Sequence, residues 1–224
     1  MAVLLCLETT TTNCSVALVE NGQTIALKED KSNSYSHGEL LHKYIASVLS
    51  DCNYQFKDLD GIAVSKGPGS YTGLRIGVSS AKGLCFAHDL PLIAIDTLKA
   101  LAKQAATEES TYIIPLLDAR RMEVYSAVFD ENFNKLRETR AEILEENSFS
   151  EYLQKGQTIF IGNGVEKFKS ICNHENAQFV LGKLPSANEM ASLAQLAYDA
   201  KEWEDVAYFE PYYLKDFMTT QPKK

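Results

Sequence analysis

The sequence predicts an α/β protein made of two halves with one plan, βββαβα: a three-strand meander, then helix, strand and helix. Three observations predict it. Short apolar runs bounded by turn residues alternate with stretches of helical period. A strand, a glycine turn and a helix rich in small residues follow one another between Gly61 and Ala87. Beyond residue 111 the same features recur in weaker form. Ile113 to Asp118 echoes Leu4 to Glu8 as a strand closing on a carboxylate, Val124 to Phe129 echoes Ser15 to Val19, and Thr158 to Gly164 echoes the strand and turn at Gly67. The halves so drawn are 1–106 and 107–224, joined at Thr107-Glu108-Glu109-Ser110-Thr111.

Taken in order, residues 2–8, 14–20 and 23–29 read as strands, and Asn21-Gly22 is the dipeptide preferred in two-residue type I′ hairpins. Ser36-x-x-Glu39 has capping-box spacing, and Leu40, Leu41, Tyr44, Ile45, Val48 and Leu49 recur at helical intervals to about Cys52. Gly61 to Ser65 is a strand, Gly67-Pro68-Gly69-Ser70 a turn, and Thr72 to Ala87 a helix. Leu92 to Ile95 gives a further strand, with Asp96-Thr97 capping a helix to about Ala106. Asn188 to Trp203 reads as a late helix, and Glu210-Pro211-Tyr212-Tyr213-Leu214 closes the ordered chain.

Composition narrows the function classes. With 224 residues, 45% apolar and 23% charged, the chain can bury a sizeable core as an ordinary globular protein. The apolar opening Met1 to Leu7 lacks a basic leader and stops at Glu8, so a buried strand in a cytoplasmic protein is expected, with no membrane span. Five cysteines without a CxxC pair suggest reduced, mostly buried thiols. A net charge of -8, with Arg120-Arg121 and Lys223-Lys224 as the densest positive features, argues against tight direct binding to RNA phosphates. Any RNA contact would come through another subunit.

The strongest motif is Ser65-Lys66-Gly67-Pro68-Gly69-Ser70-Tyr71-Thr72-Gly73-Leu74-Arg75-Ile76-Gly77. A glycine turn leading into a helix N-terminus suits anions, which makes Glu8, Gly67, Gly69, Ser70, Thr72 and Gly73 candidates for a degenerate nucleotide loop. It is not a Walker A loop, because Gly73 is followed by Leu74-Arg75. The turn is expected to fix the start of the helix more than to hold triphosphate, and Gly69→Val to destabilise the protein by placing a β-branched residue at positive φ. His37 and His42, five residues apart, would point about 140° apart on a helix and so cannot share one metal ion; both are expected as solvated polar side chains near the cap. Neither a GxSxG elbow nor an HExxH helix is present, and Asp118 with Glu123 reads as a surface or hinge pair rather than an acid and base.

Leu40, Tyr44, Val48, Leu41, Ile45 and Leu49 cover about 180° of their helix, whereas one core needs a stripe of only about 100°. One edge, either Leu40 and Tyr44 or Ile45 and Leu49, is then left over for a partner, unless this helix and the next are simply buried within the chain. Gly73, Gly77 and Ala81 recur every four residues on the next helix, a spacing that lets a second helix approach closely.

Gly67 to Gly77, with Leu5-Cys6-Leu7-Glu8-Thr9-Thr10-Thr11 before it and Asp118-Ala119-Arg120-Arg121-Met122-Glu123-Val124-Tyr125 after it, resembles the TsaB (YeaZ) family. Gly162-Asn163-Gly164, Pro185-Ser186-Ala187 and Glu210 to Leu214 fall in the expected order, so the resemblance spans nearly the whole chain. It implies an actin-like, hsp70-like fold (ASKHA, ribonuclease H-like). It also implies a non-catalytic subunit that pairs with the TsaD transferase and the TsaE ATPase to attach threonylcarbamoyl to the adenosine beside the tRNA anticodon. ATP and a metal ion are then expected in the partners and not in this chain, tRNA only through the complex, and a homodimer is left open for the isolated chain. The family commonly carries Asp where this chain has Glu8, which weakens the case for ATP chemistry here. The competing reading is a small ATP-dependent kinase or carbamoyltransferase-like ATPase of the same fold.

Overall fold

The computed structural model describes residues 2–30, 37–105 and 112–215. The Ser36 capping box, the 107–111 junction and Lys223-Lys224 lie outside the described residues. Strands β1 (Val3–Glu8), β2 (Cys14–Glu20) and β3 (Gln23–Asp30) form the meander, and α1 (His37–Asp51), β4 (Gly61–Gly67), α2 (Tyr71–His88), β5 (Leu92–Asp96) and α3 (Thr97–Ala102) follow. The Asn21-Gly22 turn has φ of 52° and 76°, as a type I′ hairpin requires. The remaining elements are β6 (Tyr112–Asp118), β7 (Glu123–Phe129), β8 (Lys135–Ile143), α4 (Ser150–Leu153), β9 (Thr158–Ile161), α5 (Val165–Lys169), β10 (Ala177–Val180) and α6 (Ala187–Asp199).

The two sheets have the orders β3-β2-β1-β4-β5 and β8-β7-β6-β9-β10. In each, the first three strands pair antiparallel and the last two join parallel. Gly67 at the end of β4 has φ 114° and Gly162 after β9 has φ 124°, so even the strained glycine recurs. The repeat seen in sequence is a repeat of topology.

β1 is buried at every position because helices cover both faces of its sheet, which is why it reads as one continuous apolar run. Alternate residues divide between two cores. Leu5, Leu7, Val16 and Val64 pack under α1 and α2, whereas Leu4, Cys6, Ala17 and Ala63 pack under α6. Thus α6, late in sequence, completes the first sheet. Ser186 caps it, and hydrogen bonds from the amide of Ala187 to Ser15 Oγ and from Asn13 to the Pro185 carbonyl fasten its start.

Three features differ from the sequence expectation. The strand β8, Lys-Leu-Arg-Glu-Thr-Arg-Ala-Glu-Ile, carries the charges of a guarded edge strand and shows no apolar pattern. The four-residue edge strand β10 and the short α4 and α5 are likewise too brief to give a period. The late helix ends at Asp199, short of Trp203, because Lys201 turns left-handed at φ 56° and Glu202 donates its amide to the Ala197 carbonyl.

Candidate functional site

The site grows from the end of β1. Its register against β4 places Glu8 beside Ser65, and its side chain is fully buried. Glu8 Oε1 accepts from the Thr10 amide (2.6 Å) and hydroxyl (2.5 Å), and Oε2 accepts from the Ser65 hydroxyl. Burial holds this carboxyl above the ordinary range, against the opposing pull of those donors. Glu8, a candidate for a degenerate nucleotide loop, thus has its carboxylate turned into the protein and bonded there.

The glycine turn is occupied in the same way. The Gly67 amide donates to Thr97 Oγ1 (3.1 Å), the Ser70 amide to the Thr10 carbonyl (2.7 Å), the Gly73 amide to Ser70 Oγ (3.3 Å) and the Leu74 amide to the Ser70 carbonyl (2.8 Å). These bonds make the turn the N-terminal cap of α2, with Ser70 as the capping residue. Thr72 stands exposed in the first turn of α2. Positive φ belongs to Gly67 and not to Gly69. Gly69 is needed for a different reason, since a Cβ there would lie 2.5 Å from both Thr10 Cβ and the Thr10 carbonyl oxygen. Bulk at Gly69 therefore remains unfavourable, through collision. The Glu8 carboxylate and the amides of Gly67, Ser70, Gly73 and Leu74 are thus engaged within the chain.

The partner of the small-residue stripe is also inside the chain. Gly73, Gly77 and Ala81 are all buried. A Cβ on Gly73 would lie 2.0 Å from the Thr9 carbonyl oxygen and one on Gly77 2.3 Å from Thr9 Oγ1, while Thr9 Oγ1 donates to the Gly73 carbonyl (2.8 Å). At Gly73 and Gly77 the stripe admits the β1–β2 turn, while Ala81 is buried in the core that α2 shares with α1. Thr9, Thr10 and Thr11 are the residues that sequence reasoning missed as a unit. Their signal was a threonine run at a strand end with glycines one helical turn apart to receive it.

On α1, Ile45 and Leu49 are buried in the first core, so their edge is not available to a partner. Leu40 and Tyr44 are only half-buried. They stand on the helix that, with α2, borders a shallow groove of about 370 Å³ lined by His37, Gly38, His42, Arg75, Ile76, Ser79 and Ser80.

His37 is not solvated. It is 1% exposed, and its Nε2 lies 2.7 Å from the Thr11 carbonyl. His42 is exposed, with Nε2 3.3 Å from Ser80 Oγ, so the two histidines stand apart as their spacing predicts. Desolvation lowers the His37 pKa from its ordinary 6.5, the Thr11 bond and Asp30 opposing. The folded chain then binds this proton less well than the unfolded chain, so stability present above pH 6.5 is lost as pH falls from there through the lowered value. In His37→Gln the fall in thermal midpoint from pH 7 to pH 5 should be shallower than in the parent, by scanning calorimetry. An identical slope would remove His37 as the cause.

Asp118 and Glu123 form ion pairs where β6 ends and β7 begins. Lys167 Nζ bonds Asp118 Oδ1 (2.8 Å) and the Glu123 carbonyl (3.1 Å), and Lys215 Nζ bonds Glu123 Oε2. All five cysteines are free, and burial pushes the Cys6 and Cys85 thiols up to about 12, which leaves them unreactive. Among the described residues no group of three His, Cys, Asp or Glu side chains could hold a metal ion, and no helix is long and apolar enough to cross a membrane.

The family model for TsaD, tRNA N6-adenosine threonylcarbamoyltransferase, matches residues 31–220. The tRNA threonylcarbamoyladenosine biosynthesis protein TsaB of Haemophilus influenzae is 33% identical over 96% of this chain and 94% of its own length. TsaB of Escherichia coli is 28% identical over 95% and 94%. The structure of YeaZ from Pseudomonas aeruginosa superposes with a TM-score of 0.82 at 26% identity, covering 96% of this chain and 100% of that one. These likenesses and the duplicated 3-2-1-4-5 sheets establish an actin-like, ribonuclease H-like fold. With full-length coverage by named relatives and a topology that repeats around paired glycine turns, the chain belongs to the TsaB (YeaZ) family.

Proposed function

We propose that this chain serves in threonylcarbamoyladenosine synthesis on tRNA as the non-catalytic subunit that organises a TsaD-type transferase, in a complex completed by a TsaE-type ATPase. Nucleotide and metal ion belong to the partners in this reading, and tRNA is reached through the complex. The observation that carries it is the internal use of the Glu8 carboxylate and the turn amides, groups that a nucleotide-processing scaffold would aim at its ligand. The net charge of -8 supports indirect contact with tRNA.

The docking surface in this proposal is the Leu40 and Tyr44 edge of α1 with the groove beside α2, and a homodimer of the isolated chain would use the same surface. Paired substitutions test it. Leu40→Glu with Tyr44→Glu should leave the circular dichroism spectrum intact and abolish co-purification with the TsaD-type partner. Ile45→Glu with Leu49→Glu should unfold the chain, because two charges would enter a core without partners. Partner binding that survives the first pair would place the interface elsewhere. Nucleoside analysis of tRNA modified in vitro, omitting each subunit in turn, tests the function itself. ATP turnover by this chain alone would overturn the non-catalytic assignment.

A further inference from the structure

After α6 the chain runs on as an irregular segment of more than a dozen residues, and such lengths without regular structure are uncommon inside a folded domain unless they act or are unfolded. This one is held along its course. Glu204 donates its amide to the Leu92 carbonyl (2.8 Å), an isolated bridge beside β5. Lys82 of α2 then donates to the carbonyls of Ala207 (3.2 Å) and Phe209 (2.8 Å). At the glycine turn the Tyr212 amide donates to the Lys66 carbonyl (2.7 Å). A Cβ on Gly67 would lie 2.8 Å from the Tyr212 carbonyl oxygen, so the bare face of Gly67 is what admits the segment. The Tyr213 ring lies on Tyr71 with centroids 4.6 Å apart. Lys215 finally crosses to the second sheet, where it pairs with Glu123 and sits 5.8 Å from the Tyr125 ring centroid.

We infer that residues 203–215 are a strap laid across the glycine turn from the first sheet to β7, and that its release uncovers Gly67 while the core that α3 shares with β6 and β7 and the Lys135–Asp96 pair keep the two sheets together. This inference is independent of the docking proposal. Its anchors differ in kind. The Tyr212 amide and the Tyr213 stack fix the strap to the first sheet and α2, while the Lys215 pair, about a third exposed, is its connection to β7. Charge at the far end is therefore the natural point of release.

Hydrogen exchange on the full-length chain tests this. Lys215→Glu places like charges together and should speed exchange of the Tyr212 amide and of peptides covering Lys66 to Ser70 and the start of β7 about tenfold. Peptides from β1 and α6 should keep their protection. Adding Glu123→Lys to Lys215→Glu reverses both charges and should restore the parent rates. Tyr213→Ala should loosen the Tyr212 amide without relying on charge. Unchanged exchange at Tyr212 in both Lys215→Glu and Tyr213→Ala would overturn the strap, as would a loss of protection that extends equally to β1 or that the charge reversal does not restore.

Discussion

Replacing Gly73 with alanine is expected to lower the thermal midpoint by about 6–12 °C, the equivalent of about 3 kcal/mol in a chain of this size. The new Cβ would stand 2.0 Å from the Thr9 carbonyl oxygen, and the obstacle is backbone that cannot turn aside. Gly83, in the same helix, is the control. It has nothing within 4 Å of a built Cβ, so Gly83→Ala should raise stability by about 0.5–1 kcal/mol through helix propensity alone. Gly77→Ala separates the two kinds of obstacle, because there the nearest atom is Thr9 Oγ1 at 2.3 Å. Its cost should fall in a Thr9→Ala background, whereas that of Gly73→Ala should not. Thermal melts of the parent and the six variants would decide. A Gly73→Ala protein as stable as the Gly83→Ala one would mean that the β1–β2 turn does not rest on α2.

Replacing Glu8 with alanine is expected to cost on the order of 3–5 kcal/mol, because it opens a cavity and leaves the Thr10 amide, the Thr10 hydroxyl and the Ser65 hydroxyl without their acceptor. Glu8→Gln keeps the volume and behaves differently with pH. Burial raises the Glu8 pKa above 4.5, so the folded chain holds this proton more tightly than the unfolded one. That contribution to stability is complete below pH 4.5 and is lost as pH rises through the folded value. Across that window the parent should lose stability relative to Glu8→Gln, with the sign opposite to that of His37. Denaturant midpoints from pH 4 to pH 8 for the parent, the glutamine and the alanine proteins measure both effects. A Glu8→Gln protein that folds but no longer supports tRNA modification in the reconstituted system would return a chemical role to this carboxylate.

The sequence by itself determined the elements whose signal is local. Apolar runs closing on Glu8 and Asp118, an Asn-Gly hairpin and glycine turns at Gly67 and Gly162 established the duplicated plan, because strand, turn and helix periods are written within a few residues. The threonine run, the glycine loop and the motif order were likewise enough for the family. Edge strands such as β8 escaped, since an exposed edge needs charge more than apolar alternation.

Tertiary structure decided every question of direction. Periodicity gave α1 an apolar arc of the right width but could not say that Ile45 and Leu49 face the core while Leu40 and Tyr44 stand at its margin. The small-residue stripe of α2 promised a close approach, and only the fold showed that Thr9, 64 residues from Gly73, makes it. The burial of His37 against Thr11 and the assignment of α6 to the first sheet through Ser15 and Ser186 depend on pairs 26 and 171 residues apart. A strand or helix signal is carried by neighbours along the chain. Which side chains are spent inside the protein and which are left for a partner is set by segments far away in sequence, and that is settled when the sheets and helices pack.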